Sequence, residues 1–473
     1  MRKISNDTPA KPVNEKAKRH LAAALGIVVL LVVLYWSGVQ ILQGLNAPRL
    51  FEFFSGYFGK DLIKDEKNHT NILLLGVGGG THDGADLTDT IIIASLDHTN
   101  NTIGMVSIPR DLYMKSEIGE SRINRLFELG KTKWGSQTGL EFMSETIQKA
   151  LDIPIHYYVK LDFVAFEQVV DDLEGIDIYV NETINDTEYP DGTFGYEPFY
   201  IEKGSQHLDG KTALKYVRSR HTSSDFDRSR RQQQVLLALK QKAASENILK
   251  KSGTLRKLYY SVSSHLETNM SLREMISLAD FASKWDSKTL SMATINDEPT
   301  MHGGFLYTPL RELYGGAYVL IPAGENFETI KKYLEIVFYG PKNIQLFPIT
   351  ILNGTKKTGL AAIIGAIFYR FGFNITSTGN AINQNLTTTN WYITSNEAMP
   401  TLEYLKDILP ATVNLQVPPE YTSNPKFADA KIFLELGSDS FDIINELNIF
   451  KNIVPMTPKP TGTSTQIAPA SPK

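Results

Sequence analysis

The stretch TIIIASLDHTNNTIGMVSI at 90–108 carries two apolar runs, Thr90 to Leu96 and Thr102 to Ile108, separated by the turn-like segment Asp97-His98-Thr99-Asn100-Asn101. Short runs of strand character bounded by Asn and Asp predict a β-hairpin. Upstream, Asn71 to Leu75 reads as a further strand. Downstream, the pattern predicts a helix from about Thr138 to Leu151, a strand from His156 to Leu161, a helix from Phe163 to Leu173 and a strand from Ile176 to Val180. Strands alternating with amphipathic helices, plus a hairpin, imply an α/β fold in which helices sandwich a mixed β-sheet. Residues 181–204, with Gly, Pro, Asp and aromatics, read as a long loop. Helices are expected at Leu208 to Arg220, Ser229 to about Ala244, Thr254 to His265 and Leu272 to Ala282.

A chain of 473 residues exceeds one ordinary domain. The first unit is bounded at 70–245, followed by a helical extension or linker at 246–344. A second, small α/β unit occupies 345–440: strands at Gln345 to Leu352, Asn374 to Ser377, Trp391 to Thr394 and Lys431 to Leu436, and helices at Gly359 to Phe371 and Met399 to Leu409. Residues 456–473 are Pro, Thr, Ser and Ala without hydrophobic period and read as a disordered tail. Apolar residues at 42% and charged residues at 21% mark the bulk as globular, and a net charge of -4 argues against a general nucleic-acid binder.

At the N-terminus no charged side chain occurs from Leu21 to Pro48, and Arg2, Lys3, Lys11, Lys16, Lys18 and Arg19 outnumber Asp7 and Glu15 ahead of that run. Length and charge asymmetry predict a basic cytoplasmic tail at 1–20, a transmembrane helix at 21–42 and a juxtamembrane stalk at 43–69. The expectation is an uncleaved single-pass anchor in the bilayer, with the bulk of the chain outside the cytoplasm. The absence of cysteine fits that placement.

Chemistry concentrates at Arg218-Ser219-Arg220-His221 and at Asp225 to Gln234, where five arginines fall between Arg218 and Arg231. Arg218 follows Leu214 by one helical turn, and Arg228 and Arg231 extend the stripe of Val235 and Leu239 backwards, so several guanidiniums are directed inward. Buried arginine demands a partner, and Asp225 and Asp227 neutralise only part of the charge, which leaves an anionic ligand such as a pyrophosphate. The bland alternative is a solvated basic helix surface. A second constellation, Ser107-Ile108-Pro109-Arg110-Asp111, stands where a strand ends, a usual ligand position in α/β sheets, with Asp111 able to orient a guanidinium; Arg122 and Asn124 add donors. Asp89 stands at a strand entrance behind the glycine-rich loop Gly78 to Asp86, and carboxylates beside phosphate-binding arginines suit Mg²⁺ or Mn²⁺.

These residues, in this order, resemble the LytR-CpsA-Psr family of cell-envelope proteins. The matching motifs are NILLLG at 71–76, TDT at 88–90, SIPRD at 107–111, RIN at 122–124, IPIHYYVKLDFVAFEQVVDDLEGIDIYV at 153–180, HLDGKTALKYVRSRH at 207–221 and DFDRSRRQQQVL at 225–236. ILNGTKKTGLAA at 351–362, FGFNI at 371–375, GNA at 379–381 and LELGSDS at 434–440 resemble the family's LytR C-terminal domain.

The resemblance implies a phosphotransferase that moves a polyprenyl-pyrophosphate-linked glycan to peptidoglycan or another cell-wall acceptor. It assigns the pyrophosphate to Arg110, Arg122, Arg218, Arg220, Arg228 and Arg231 with Gln232 or Gln234, and Mg²⁺ or acceptor activation to Asp89. It also implies an apolar tunnel for the lipid between sheet and helices. Many members carry an aspartate two residues after the LLLG glycine. Here that position is Gly78, and Asp83 and Asp86 are the substitute carboxylates. Two further readings of the same residues are a lipid-phosphate-binding scaffold without turnover and a DNA-binding regulator, the latter opposed by the expected topology.

Overall fold

The computed structural model describes residues 61–80, 84–190, 195–219, 231, 234–235, 238–239, 242, 265–271, 273–275, 277–278, 281, 285, 290–324 and 326–441. The expected transmembrane helix, cytoplasmic tail and disordered C-terminus lie outside them, as does most of the stalk. Among the described residues no helix is long and apolar enough to cross a membrane.

The strands are β1 (His69–Val77), β2 (Thr88–Asp97), β3 (Thr102–Ser107), β4 (Tyr113–Ser116), β5 (Gly119–Arg122), β6 (Tyr157–Asp162), β7 (Ile176–Val180), β8 (Ile184–Pro190), β9 (Tyr196–Ile201), β10 (Gly204–Leu208), β11 (Leu266–Thr268) and β12 (Leu290–Thr294). Six of them form one sheet in the order β11-β6-β1-β2-β3-β12. The expected hairpin is its centre: β2 and β3 pair antiparallel from Asp97↔Thr102 to Ile92↔Ser107. β1 pairs antiparallel with β2 and parallel with β6, so the sheet is mixed as expected.

Central strand β1 is buried on both faces, which explains its unbroken apolar run. Leu73, Leu75 and Val77 pack toward α1 (Leu126–Trp134) and α2 (Ser136–Leu151), where Leu140, Met143, Ile147 and Leu151 form the inward stripe. Ile72 and Leu74 face the opposite layer with α3 (Phe163–Asp172) and α4 (Gly210–Arg218). Helices α3 and α4 approach so closely that a Cβ on Gly210 would lie 2.2 Å from the Glu167 carbonyl oxygen, which only glycine avoids.

Two expectations are corrected. The described part of 181–204 is mostly strand: β8 and β9 pair antiparallel, and β10 pairs with β7. Ile184, Asp186 and Tyr189 point inward on β8, so a buried aspartate interrupts the apolar alternation that marks a strand. Residues 246–344 are not only helical. They supply both edge strands of the sheet, β11 and β12, the two-residue ladder of β13 (Leu306–Tyr307) with β14 (Ile321–Pro322), and helix α5 (Glu328–Tyr339).

The C-terminal α/β unit has strands β15 (Ile349–Asn353), β16 (Ile375–Asn380), β17 (Asn390–Ile393), β18 (Thr412–Asn414) and β19 (Ile432–Leu436), ordered β16-β15-β19-β17-β18, with helices α6 (Leu360–Arg370) and α7 (Met399–Ile408). Its core is continuous with that of the first unit. Phe305 packs on Phe371 at 4.8 Å, Arg370 Nε donates to the Pro299 carbonyl at 2.7 Å, and Tyr404 Oη donates to the Tyr339 carbonyl at 2.9 Å.

Three histidines, His69 buried and His98 and His156 half-buried, sit at or near the same end of the sheet. Burial pushes the His98 imidazole down to about 4, and burial also lowers His69 and His156. A folded-state value below the unfolded reference of about 6.5 means that the unfolded chain takes up protons first. Stability is therefore whole above about pH 6.5 and is lost as pH falls toward about 4. The thermal midpoint should drop across that window, and His98→Gln should flatten the slope; an unchanged slope contradicts the assignment.

Candidate active site

One edge of the sheet gathers the functional residues. Val77 ends β1 opposite Asp162 at the end of β6 and Thr88 at the start of β2, while Ser107 ends β3 beside Thr294 at the end of β12. Pro109 interrupts the ladder after β3, and Arg110 projects over the rim. Its Nη1 donates to Asp89 Oδ1 at 2.6 Å, and its Nε lies 3.4 Å from Asp111 Oδ2. Arg122, the last residue of β5, donates to Asp111 Oδ1 at 3.0 Å. Asp89, Arg110, Asp111 and Arg122 thus form a line of alternating charge. Asp111 orients two guanidiniums at once, while Arg110 and Arg122 keep about a quarter to a third of their side-chain surface exposed.

Arg218, the last residue of α4, reaches the same rim from the other face. Its guanidinium lies 4.5 Å from the Phe163 ring and 5.5 Å from the Tyr189 ring, and Nη1 donates to Tyr189 Oη at 3.1 Å. Among the described residues no carboxylate forms an ion pair with it. Glu167 acts on Arg218 from a distance, but burial, reinforced by repulsion from Asp171, raises the Glu167 carboxyl and weakens it as a counter-ion. Stacked on aromatic rings, Arg218 holds its planar fork in a fixed direction.

The other expected residues are distributed differently. Arg231 is buried as its helical phase predicts, but its Nη2 donates to the Ser219 carbonyl and its guanidinium lies 5.8 Å from the Tyr216 ring. Gln234 accepts from Tyr216 Oη at 2.6 Å and donates to the Tyr179 carbonyl at 3.2 Å. Both brace the end of α4, where Ser219 Oγ also donates to the buried Asp186 at 2.6 Å. Asp86 turns away to Lys131, whose Nζ lies 2.7 Å from each carboxylate oxygen. Arg220, Arg228, Gln232 and Asp83 lie outside the described residues.

Sequence reasoning missed Phe163, Tyr189 and Lys131. Of the ring partners of Arg218, Tyr189 arrives on the β8–β9 hairpin, in a segment read as loop, while Phe163 opens α3; Lys131 sits on α1, the helix that follows Arg122 and Asn124.

For a divalent cation, the described residues hold no group of three or more His, Asp or Glu side chains in metal-binding array. Asp89 offers Oδ2 beside the oxygen engaged by Arg110. A single carboxylate fits the way Mg²⁺ is commonly held, by one or two carboxylates completed by substrate phosphates and water.

The sequence profile of the LytR_cpsA_psr family matches residues 36–335, and that of LytR_C, described as LytR cell envelope-related transcriptional attenuator, matches 347–439. The polyisoprenyl-teichoic acid–peptidoglycan teichoic acid transferase TagV of Bacillus subtilis (strain 168) is 28% identical over 320 residues, 65% of this chain and 76% of that protein. TagU of the same strain, which bears the same functional name, is 32% identical over 221 residues, 46% of this chain and 65% of that protein. The crystal structure of B. subtilis TagV aligns with 58% of this chain and 99% of its own at 27% identity, with a TM-score of 0.44. With well over half of its length matched by the family profile, and with the rim residues falling inside that match, the chain belongs to the LytR-CpsA-Psr family.

Proposed function

We propose that the chain is a membrane-anchored, extracytoplasmic phosphotransferase that attaches a polyprenyl-pyrophosphate-linked glycopolymer, of the wall teichoic acid class named for its relatives, to peptidoglycan. The observation that carries this reading is Arg218: a fixed, partly exposed guanidinium at the sheet rim without a carboxylate ion pair among the described residues. A pyrophosphate brings negative charge to this rim and accepts the forked donors of Arg218, Arg110 and Arg122. The prenyl chain then runs into the apolar layer beneath Phe163 and Val217, between sheet and helices.

Transfer to an acceptor hydroxyl develops negative charge on the phosphoryl oxygens and on the departing prenyl phosphate. Guanidiniums already aimed at those oxygens stabilise that charge without reorganising. Asp89 would hold Mg²⁺ or Mn²⁺, which would supply further neutralisation of the developing charge.

The test is product formation by the full-length protein in detergent, given a prenyl-pyrophosphate-linked disaccharide, a peptidoglycan fragment and Mg²⁺. Metal-dependent release of prenyl monophosphate with transfer to the fragment is expected. Tight lipid binding with no product would replace this reading with that of a lipid-phosphate-binding scaffold.

A further inference from the structure

One acid-base pair at the rim has no part in the scheme above. His265, immediately before β11, places Nδ1 2.6 Å from Asp162 Oδ2, and the other carboxylate oxygen of Asp162 accepts the Ala165 amide at 2.9 Å as the N-cap of α3. Neither side chain is sealed: His265 retains 28% of its side-chain exposure and Asp162 17%. Among the described residues the other histidine–carboxylate ion pairs lie elsewhere. His207 and Asp177 meet on the exposed β7–β10 ladder, and His69 and Asp97 meet inside the opposite end of the sheet.

The surroundings of the pair point to the transfer site. Phe163, directly after Asp162, carries the Arg218 guanidinium on its ring at 4.5 Å. On the other side the glycine loop passes so close that a Cβ on Gly79, whose φ is +70°, would stand 2.7 Å from the Asp162 Cβ. Gly78, in the same loop, brings no carboxylate of its own. Down the ladder from the pair, the ammonium of Lys160 and the carboxylate of Glu267 satisfy each other, so neither competes for His265.

We infer that His265, oriented by Asp162, is the general base that takes the proton from the acceptor hydroxyl. The inference rests on the phosphotransferase reading. With Nδ1–H donated to the Asp162 carboxylate, the lone pair of the imidazole is on Nε2. The acceptor oxygen forms a bond to the glycan-bearing phosphorus, and the bridging P–O bond to the prenyl-side phosphate breaks. The electron pair of that bond leaves with prenyl monophosphate, and the hydroxyl proton passes to Nε2 and then to water.

The experiment compares full-length wild type with His265→Ala, His265→Gln and Asp162→Asn, using the prenyl-pyrophosphate-linked disaccharide and peptidoglycan fragment. Both His265 variants should lose about 100-fold in kcat, the scale of a positioned general base, with KM for the lipid unchanged. Imidazole added to the buffer should recover turnover in His265→Ala and not in the larger His265→Gln. Asn caps helices as well as Asp does, so Asp162→Asn keeps α3 and should still lose turnover through misorientation of the ring. Wild-type turnover with undiminished kcat in the His265 variants, or a loss confined to KM without rescue, overturns the base assignment alone. A wild type that binds the lipid and forms no product overturns the phosphotransferase reading and the base together.

Discussion

Arg218→Ala is expected to lower turnover by about 10²–10³-fold, the usual loss when one preorganised donor to a developing oxyanion is removed. The side chain lies against Phe163 and Tyr189 and donates to the Tyr189 hydroxyl, so its position is set before substrate arrives. Burial holds the Tyr189 phenol above its ordinary value, so it remains a neutral platform rather than a counter-ion. Arg218→Lys should recover little, because an ammonium neither stacks in the same way nor offers two parallel donors. The measurements are kcat for prenyl monophosphate release and the thermal midpoint. Unchanged turnover in either variant would remove Arg218 from the site.

Arg110→Ala should be at least as damaging, for a different reason. It removes a phosphate donor and also strips Asp89 of its partner at 2.6 Å, leaving a bare carboxylate facing the pyrophosphate. Asp111 keeps only the contact with Arg122 among its rim ion pairs. The two defects are linked, so adding Asp89→Asn to Arg110→Ala should recover part of the loss in affinity for the lipid. In wild type, Asp89→Asn should instead raise the requirement for Mg²⁺. Neighbouring charges typically couple by about 0.5–3 kcal/mol. A double-mutant cycle in which the two changes simply add would break the proposed charge line.

Much of this arrangement was legible because its residues obey simple periods. The hairpin of β2 and β3 announces itself by two apolar runs around an Asn-rich turn, and β1 by a run buried on both faces. Arg231 was placed inside by helical phase alone, and it is buried. What phase could not supply was its partner. Directed inward, Arg231 meets the Ser219 carbonyl rather than the rim, because a guanidinium on a long stem is satisfied by whichever acceptor is nearest. Hairpin β8–β9 escaped notice because Asp186 occupies a core position, its charge accommodated by Ser219. β11 and β12 are short, and their membership is decided by distant strands, β6 and β3, rather than by their own residues.

The uninterrupted packing between the two units changes what the C-terminal one means mechanically. Its helix α6 hands the Arg370 carbonyl to the Gly303 amide, and Phe371 closes on Phe305; Gly303 in turn passes so close to the end of the edge strand β12 that a Cβ on it would stand 2.0 Å from the Thr294 carbonyl oxygen. The two family profiles part between residues 335 and 347, and in that interval Tyr339 holds Tyr404 through its carbonyl and Asp65 through its hydroxyl. The seam in the gene is therefore not a hinge in the molecule. A load placed on the C-terminal unit passes through α5 to the stalk-side end of the sheet, so the two units respond to force as one lever.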